Sequence, residues 1–131
     1  MKVALDFDGT VTANKDMWRD VVRTMVASGA DVRIVTYRSR GFPGKANTDI
    51  TEWVRGTGLL IPVMFTGGVQ KAHACESMGW IPDIWIDDNP TFIVSEEEMV
   101  IRLDECEKAN DYKGSDLIQD YVSVIGTWIP G

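Results

Sequence analysis

Asp6 and Asp8 stand two residues apart in the stretch LDFDGTVT, directly after an apolar run and directly before Gly9. Apolar runs of this kind enter cores, where an isolated carboxylate is costly. A pair of acids at such a place therefore calls for a chemical reason. Three further polar groups fall at comparable places. Thr36 closes the apolar run VRIVT, Lys71 opens a helical pattern after IPVMFT, and Asp87 and Asp88 close IWID. Each alone is an ordinary turn or helix-end residue. Gathered in one crevice, the acids would repel one another and hold protons unless a cation sat among them. Magnesium suits such oxygen-only donors and keeps water and substrate phosphate in its shell. A carboxylate such as Asp6 can also attack a phosphoryl group and form an acyl-phosphate. That attack needs positive charge, here from the metal and Lys71. It also needs hydroxyl and backbone N–H donors, here Thr36 and the Gly9–Thr10 turn. Asp8 can protonate the leaving oxygen and then deprotonate a water. Gly9 lets the backbone approach a phosphate closely.

Whether these residues meet depends on the elements that carry them. KVALDF, VRIVT, IPVMFT and IWID read as four strands. Between them, Met17, Val21, Val22, Met25 and Val26 have helical spacing up to a stop at Gly29. Ile50, Trp53 and Val54 mark the inner face of a second helix, with Asn47 or Thr48 able to cap it. Ala72, Cys75 and Met78 mark a third, closed by Gly79. FIV at 92–94 reads either as a fifth strand or as part of a turn. Ser95 and Glu98 have capping-box spacing before Met99, Leu103 and Cys106, and Leu117, Ile118, Tyr121, Val122 and Ile125 mark a final helix. Strand and helix in alternation predict an α/β fold, Rossmann-like, in three layers with a parallel sheet. Such sheets bind ligands off the carboxyl ends of their strands, which is where all the polar groups lie.

The chain has 131 residues, 44% hydrophobic and 25% charged, the size and composition of one folded domain. Its net charge of −7 disfavours nucleic acid and anionic membranes unless the few basic groups are gathered. No apolar run reaches the roughly 18 residues of a membrane span. Met1-Lys2 leads straight into a strand with no signal-peptide pattern, so the cytoplasm is the expected compartment. Cys75 and Cys106 fall at apolar helical positions and read as buried thiols. His73, the one histidine, reads as a surface or cap residue.

DFDGTVT resembles the first motif of the haloacid dehalogenase superfamily, commonly DxDGTxT. IVTYR is similar to its second motif, Lys71 is placed like its third-motif lysine, and WIDDNP is similar to its double-acid fourth motif. The match in order spans residues 3 to 90. The resemblance implies a phosphatase with Asp6 as nucleophile, Asp8 as general acid and base, Thr36 as phosphate ligand and Lys71 as the cation that holds Asp6. It implies magnesium on Asp6, the backbone carbonyl of Asp8, Asp87 and, in a direct role or through water, Asp88. It also implies a first strand flanked by strands two and four. Residues 37 to 70 are used by a loop, a helix and a strand, so the expected architecture is a single domain over 1–131 with no cap, its site open. The segment 95–131 would finish the sandwich or make a homo-oligomer contact.

The loop YRSRGFPGK after Thr36 carries Arg38, Arg40 and Lys45 and no acid. These groups could hold a second phosphate or a nucleic-acid backbone, or the loop could simply be solvated. With a local resemblance of VTYR and IDDNP to the phosphatase domain of polynucleotide kinases, the expected substrate is a nucleotide or a nucleic-acid phosphate end. A sugar phosphate is the alternative. A phospho-acceptor signalling domain shares the chemistry, but its motif order differs. A non-catalytic phosphate-binding module is the other rival.

Overall fold

A computed structural model describes residues 1–41 and 47–110, with the side chains at 102, 103 and 106–110 left aside. Lys45, the side chains of Leu103 and Cys106, the Leu117–Ile125 pattern and Trp128 lie outside the described residues.

Four strands, β1 (Lys2–Leu5), β2 (Asp31–Thr36), β3 (Val63–Phe65) and β4 (Ile84–Ile86), form one sheet in the order β3-β2-β1-β4. All three pairings are parallel, with Leu5 opposite Ile34 on one side and Ile86 on the other. The order is the one the resemblance implies, with β1 inside. A strand with neighbours on both edges and helices on both faces must be apolar throughout, and Val3, Ala4 and Leu5 are all buried. The edge strands are three residues long and only half-buried, short enough to offer little template for another chain.

Side-chain alternation sorts the core into two faces. Val3, Leu5, Val32 and Ile34 share one face with Val22 of α1 (Lys15–Ala27) and with Ile50 and Trp53 of α2 (Thr48–Thr57). Ala4 and Val35 share the other with Cys75 of α3 (Lys71–Ser77) and with Trp80. The chain thus lays β1, β2 and β3 outward in sequence, then crosses to the far side of β1 for β4. The strand order reverses at β1, the kind of place where such sheets form a crevice at the carboxyl edge.

Local signals explain the helix ends. Asn14 accepts a hydrogen bond from the Met17 N–H and caps α1, and Gly29, at φ +95°, takes the left-handed turn that ends it. The buried stripe of α1 runs through Trp18, Val22, Met25 and Val26, so Met17 is exposed where the spacing suggested a core position. Trp18 has more apolar surface to bury and takes the inward place. Residues 92–94 resolve as a turn and not a strand. A 3₁₀ turn over Pro90–Phe92 starts at Asn89, whose side chain accepts from the Thr91 N–H, and Pro90 presets its backbone angle. Ile93 and Val94 then pack beneath α3 and α4 (Glu96–Asn110) with Ala72, Trp85 and Met99. The Ser95 hydroxyl accepts from the Glu98 N–H at the start of α4. Among the described residues no helix is long and apolar enough to cross a membrane.

Candidate active site

The β1–β4 ladder runs one bond past the strands. The Asp6 N–H donates to the Ile86 carbonyl at 2.9 Å, which seats Asp6 beside the start of the Asp87–Asp88 turn. Both Asp6 and Asp87 are buried, and so is Lys71, at 1% exposure, on the first turn of α3. The Lys71 ammonium lies between them. It donates to Asp6 Oδ1 at 2.8 Å and to Asp87 Oδ2 at 2.5 Å. The other oxygens are also held: Thr10 Oγ1 donates to Asp6 Oδ2 at 3.1 Å, and the Asn89 N–H donates to Asp87 Oδ1 at 2.9 Å.

One ammonium does not offset two desolvated carboxylates. Burial pushes the Asp6 carboxyl up to about 7; Lys71 opposes the rise and the Asp87 charge adds to it. Asp87 is raised as well, again by burial against the pull of Lys71. A third carboxylate, Asp88, is exposed and lies over Gly9. Gly9 is at φ +84°, and a Cβ there would overlap the Asp88 carboxylate, so this position requires glycine twice over. Asp6, Asp87 and Asp88 each offer an oxygen within 4.8 Å of the others. Three hard oxygen donors against one ammonium fit a divalent cation of the magnesium type in both donor chemistry and charge.

Asp8 is treated differently. Its carboxylate turns away from the trio and accepts two bonds from Arg38, from Nε at 2.7 Å and from Nη2 at 2.5 Å. Arg38 also donates to both oxygens of Asp49 at 2.9 Å and to Asn47 Oδ1 at 3.3 Å. Hydrogen bonds from Arg38 hold Asp49 below the usual carboxylate range, and those to Asp8 and Asp49 raise the guanidinium further above its own.

Between the two clusters opens a cleft of about 300 Å³ onto which Asp6, Asp8, Thr36, Arg38 and Asp88 face. Thr36 is fully buried at the end of β2, and its hydroxyl accepts from the Arg38 N–H at 3.3 Å. Tyr37 and Phe92 line the same cleft and stack on each other, centroids 4.2 Å apart and planes 13° off parallel.

The structure thus gathers Asp6, Asp8, Thr36, Lys71, Asp87, Asp88 and Arg38, with Gly9 and Thr10 forming the turn beside Asp6. Arg40 does not face this cleft; it lines a separate cavity beside β3. The reason is local: the Asn47 amide donates to the carbonyls of Ser39 and Arg40 and bends the chain away. Arg38 does face the cleft, but acids from distant positions neutralise it. Asp49 and the Tyr37–Phe92 pair were not among the expected residues. Asp49 reads in sequence as a favourable first-turn acid of α2, and nothing in the linear order links it to Arg38. Cys75 is buried, and burial raises its thiol to about 11, so it stays protonated. His73 is exposed on α3.

Comparison with family models, curated proteins and solved structures finds no match for the chain.

Proposed function

We propose that the chain is a magnesium-dependent phosphomonoester hydrolase of the haloacid dehalogenase type, acting through an aspartyl-phosphate on Asp6. One observation carries the reading: a buried carboxylate at the end of the central strand faces an open cleft while sharing a single ammonium with a second buried carboxylate. Such an arrangement is unfavourable as scaffold and useful as a charged reaction centre.

The roles follow from placement. The phosphoryl group sits against the Thr36 hydroxyl and the backbone of the Gly9–Thr10 turn. An Asp6 oxygen attacks phosphorus, and the bond from phosphorus to the leaving oxygen breaks. Lys71 and Thr10 keep the Asp6 carboxylate oriented. Asp8, once it has left Arg38 and taken a proton from solvent, delivers that proton to the leaving oxygen; it then takes one from a water that attacks phosphorus and frees Asp6, which leaves it protonated for the next turnover. To do so Asp8 leaves Arg38, and its side chain is 53% exposed, so releasing an ion pair there costs about 1 kcal/mol or less. Magnesium held by Asp6, Asp87, Asp88 and the Asp8 carbonyl would offset the carboxylates' charge and that of the phosphoryl group.

For the substrate, the aromatic pair that lines the cleft supports a nucleotide or a nucleic-acid phosphate end, with a base able to lie against Phe92, which is 38% exposed. The saturation of Arg38 by Asp8 and Asp49 favours a second reading, a phosphorylated sugar, because little free positive charge remains for a polyanion.

The test is hydrolysis of a 3′-phosphorylated oligonucleotide, nucleoside monophosphates and sugar phosphates, with magnesium and with excess chelator. Asp6→Asn should fall to background with the fold intact, and Asp8→Asn should lose about 100- to 10,000-fold. Undiminished turnover in chelator or in Asp6→Asn ends the proposal. Saturable phosphate binding with no turnover of any of these esters would instead indicate a non-catalytic phosphate-binding module.

A further inference from the structure

The Arg38 guanidinium spends all five of its N–H groups. Its Nη1 donates to Asp49 Oδ1 at 2.9 Å and to Asn47 Oδ1 at 3.3 Å, and Nη2 donates to Asp49 Oδ2 at 2.9 Å. The other edge, Nε and the second Nη2 hydrogen, serves Asp8, at 2.7 and 2.5 Å.

The two edges are not equally fixed. Asp49 Oδ1 also accepts from the Ile50 N–H at 3.0 Å, and the Asn47 amide is tied to the Ser39 and Arg40 carbonyls. The buried Phe7 ring lies against the guanidinium, its centroid 5.5 Å from the central carbon. Arg38 is therefore pinned along one edge and one face. Asp8 sits on the turn after β1 with its side chain 53% exposed, and among the described residues its carboxylate accepts from Arg38 alone. When Asp8 swings away, Arg38 cannot follow. Two parallel N–H donors are then left facing the cleft, on a side chain only 28% exposed to water. A fork of that shape matches a carboxylate or a phosphate through two directed bonds.

We propose that Arg38 exchanges Asp8 for a second oxyanion of the substrate, so that the site selects phosphomonoesters carrying a carboxylate or a further phosphate a short carbon link from the ester oxygen. The inference rests on the phosphatase reading above. The short link follows from reach: Asp8 goes from Arg38 to the leaving oxygen by a change of rotamer, so fork and leaving oxygen lie within the swing of one short side chain. The exchange needs no free charge, because one carboxylate leaves as one anion arrives. It admits a single added oxyanion and not a polyanion, in keeping with the little positive charge the cleft has to spare. Arg38 is then a specificity-determining residue, and the substrate itself drives Asp8 off the partner it must leave.

Binding without turnover separates this inference from the chemistry. The probes are 3-phosphonopropionate, its uncharged amide 3-phosphonopropanamide, and ethane-1,2-bisphosphonate. They set a carboxylate, an amide and a second phosphonate at one spacing, and none can be hydrolysed. Each is titrated calorimetrically into the full chain with magnesium in excess. The carboxylate or the bisphosphonate should bind at least about tenfold more tightly than the amide, the gain expected for a charge-assisted pair; whichever is tighter names the source of the oxyanion. Arg38→Met should bring that ratio to about one, and Arg38→Lys, which keeps the charge without the fork, should retain only part of it. Asp8→Asn removes the competing charge and should tighten the anion about two- to fivefold with little effect on the amide. A merely structural role would not give opposite shifts from the two partners of one ion pair. Equal binding of the amide and both anions, a preference that survives Arg38→Met, or no tightening in Asp8→Asn would each overturn the exchange while leaving the phosphate site standing. Failure of all three probes to bind would overturn the phosphatase reading with it.

Discussion

Two clusters at the carboxyl edge of the sheet each set one cation between two carboxylates, and they end in opposite electrostatic states. Lys71 lies between Asp6 and Asp87, all three almost wholly buried. Arg38 lies between Asp8 and Asp49, all partly open to water. In the first cluster both carboxyls are raised, because the loss of water outweighs the single ammonium. In the second, Asp49 is lowered, because water already supports the charge and the guanidinium adds two directed bonds. Each cation serves two carboxylates, and burial is the largest cause of the difference, with the neighbouring carboxylates of the buried cluster adding to it. The buried cluster is short of positive charge and open to a cation; the surface one is complete.

The largest expected effect breaks the buried cluster. Lys71→Met leaves Asp6 and Asp87 with no ammonium, and removing one partner of a buried pair costs about 3–5 kcal/mol. Arg38→Met removes the analogous cation from the surface cluster and should cost about 1 kcal/mol or less. Chemical denaturation of both variants at pH 8 measures the contrast. Equal losses would mean that burial does not separate the two clusters.

Next in size is the pH dependence. Asp6 is raised from its usual value of 3.8 to about 7 in the folded protein, so the folded state holds its proton longer than the unfolded chain does. The stability this group contributes is present below the unfolded value and is lost as pH rises through about 7. Asp49 is lowered, so its contribution has the opposite sign: present above the unfolded value, lost as pH falls through the folded one. In melting temperatures recorded without divalent ions from pH 4 to 8, Asp6→Asn should gain on wild type as pH rises, because the neutral amide escapes the deprotonation that wild type meets. Magnesium should raise the wild-type melting temperature more at pH 8 than at pH 5, since protons compete for the same oxygens. A gap between variant and wild type that stays constant with pH would show that Asp6 is not raised.

The two clusters were also unequally legible in the sequence. Asp6, Thr36, Lys71 and Asp87 each sit at the end of a strand or the start of a helix. The strand–helix alternation sends those ends to one edge, so their meeting follows from topology. The order of the sheet, with β1 between β2 and β4, was legible only through the family resemblance, because alternation alone fits several strand orders. Arg38 looked like a free cation because its own loop carries no acid. Its partners come from the turn after β1 and from α2, and an ion pair formed across thirty positions leaves no local pattern. Residues 92–94 were ambiguous because three apolar residues suit a strand or a buried turn equally; Asn89 and Pro90 decide for the turn. Met17 and Trp18 are adjacent apolar residues, and spacing alone does not say which one faces inward.

The smallest expected effect tests whether the surface cluster is complete in a functional sense. Asp49 touches neither the cleft nor Asp6, and acts on the site only through the two bonds it accepts from Arg38. Asp49→Asn keeps the shape and removes the charge, so Arg38 should lean more heavily on Asp8 and hold it in the surface pair for a larger share of the time. Stability should change by about 1 kcal/mol or less, as for other exposed pairs. Under the proposed mechanism Asp8 must leave Arg38 to move protons, so kcat should fall by a few-fold at most, about the same free energy, while KM stays near its wild-type value. Double substitution with Arg38→Met should return kcat to that of Arg38→Met alone, because without the guanidinium Asp49 has no route to Asp8. A loss in Asp49→Asn that persists in the double variant would mean that Asp49 acts on the reaction by another path, and that the two clusters are not separable.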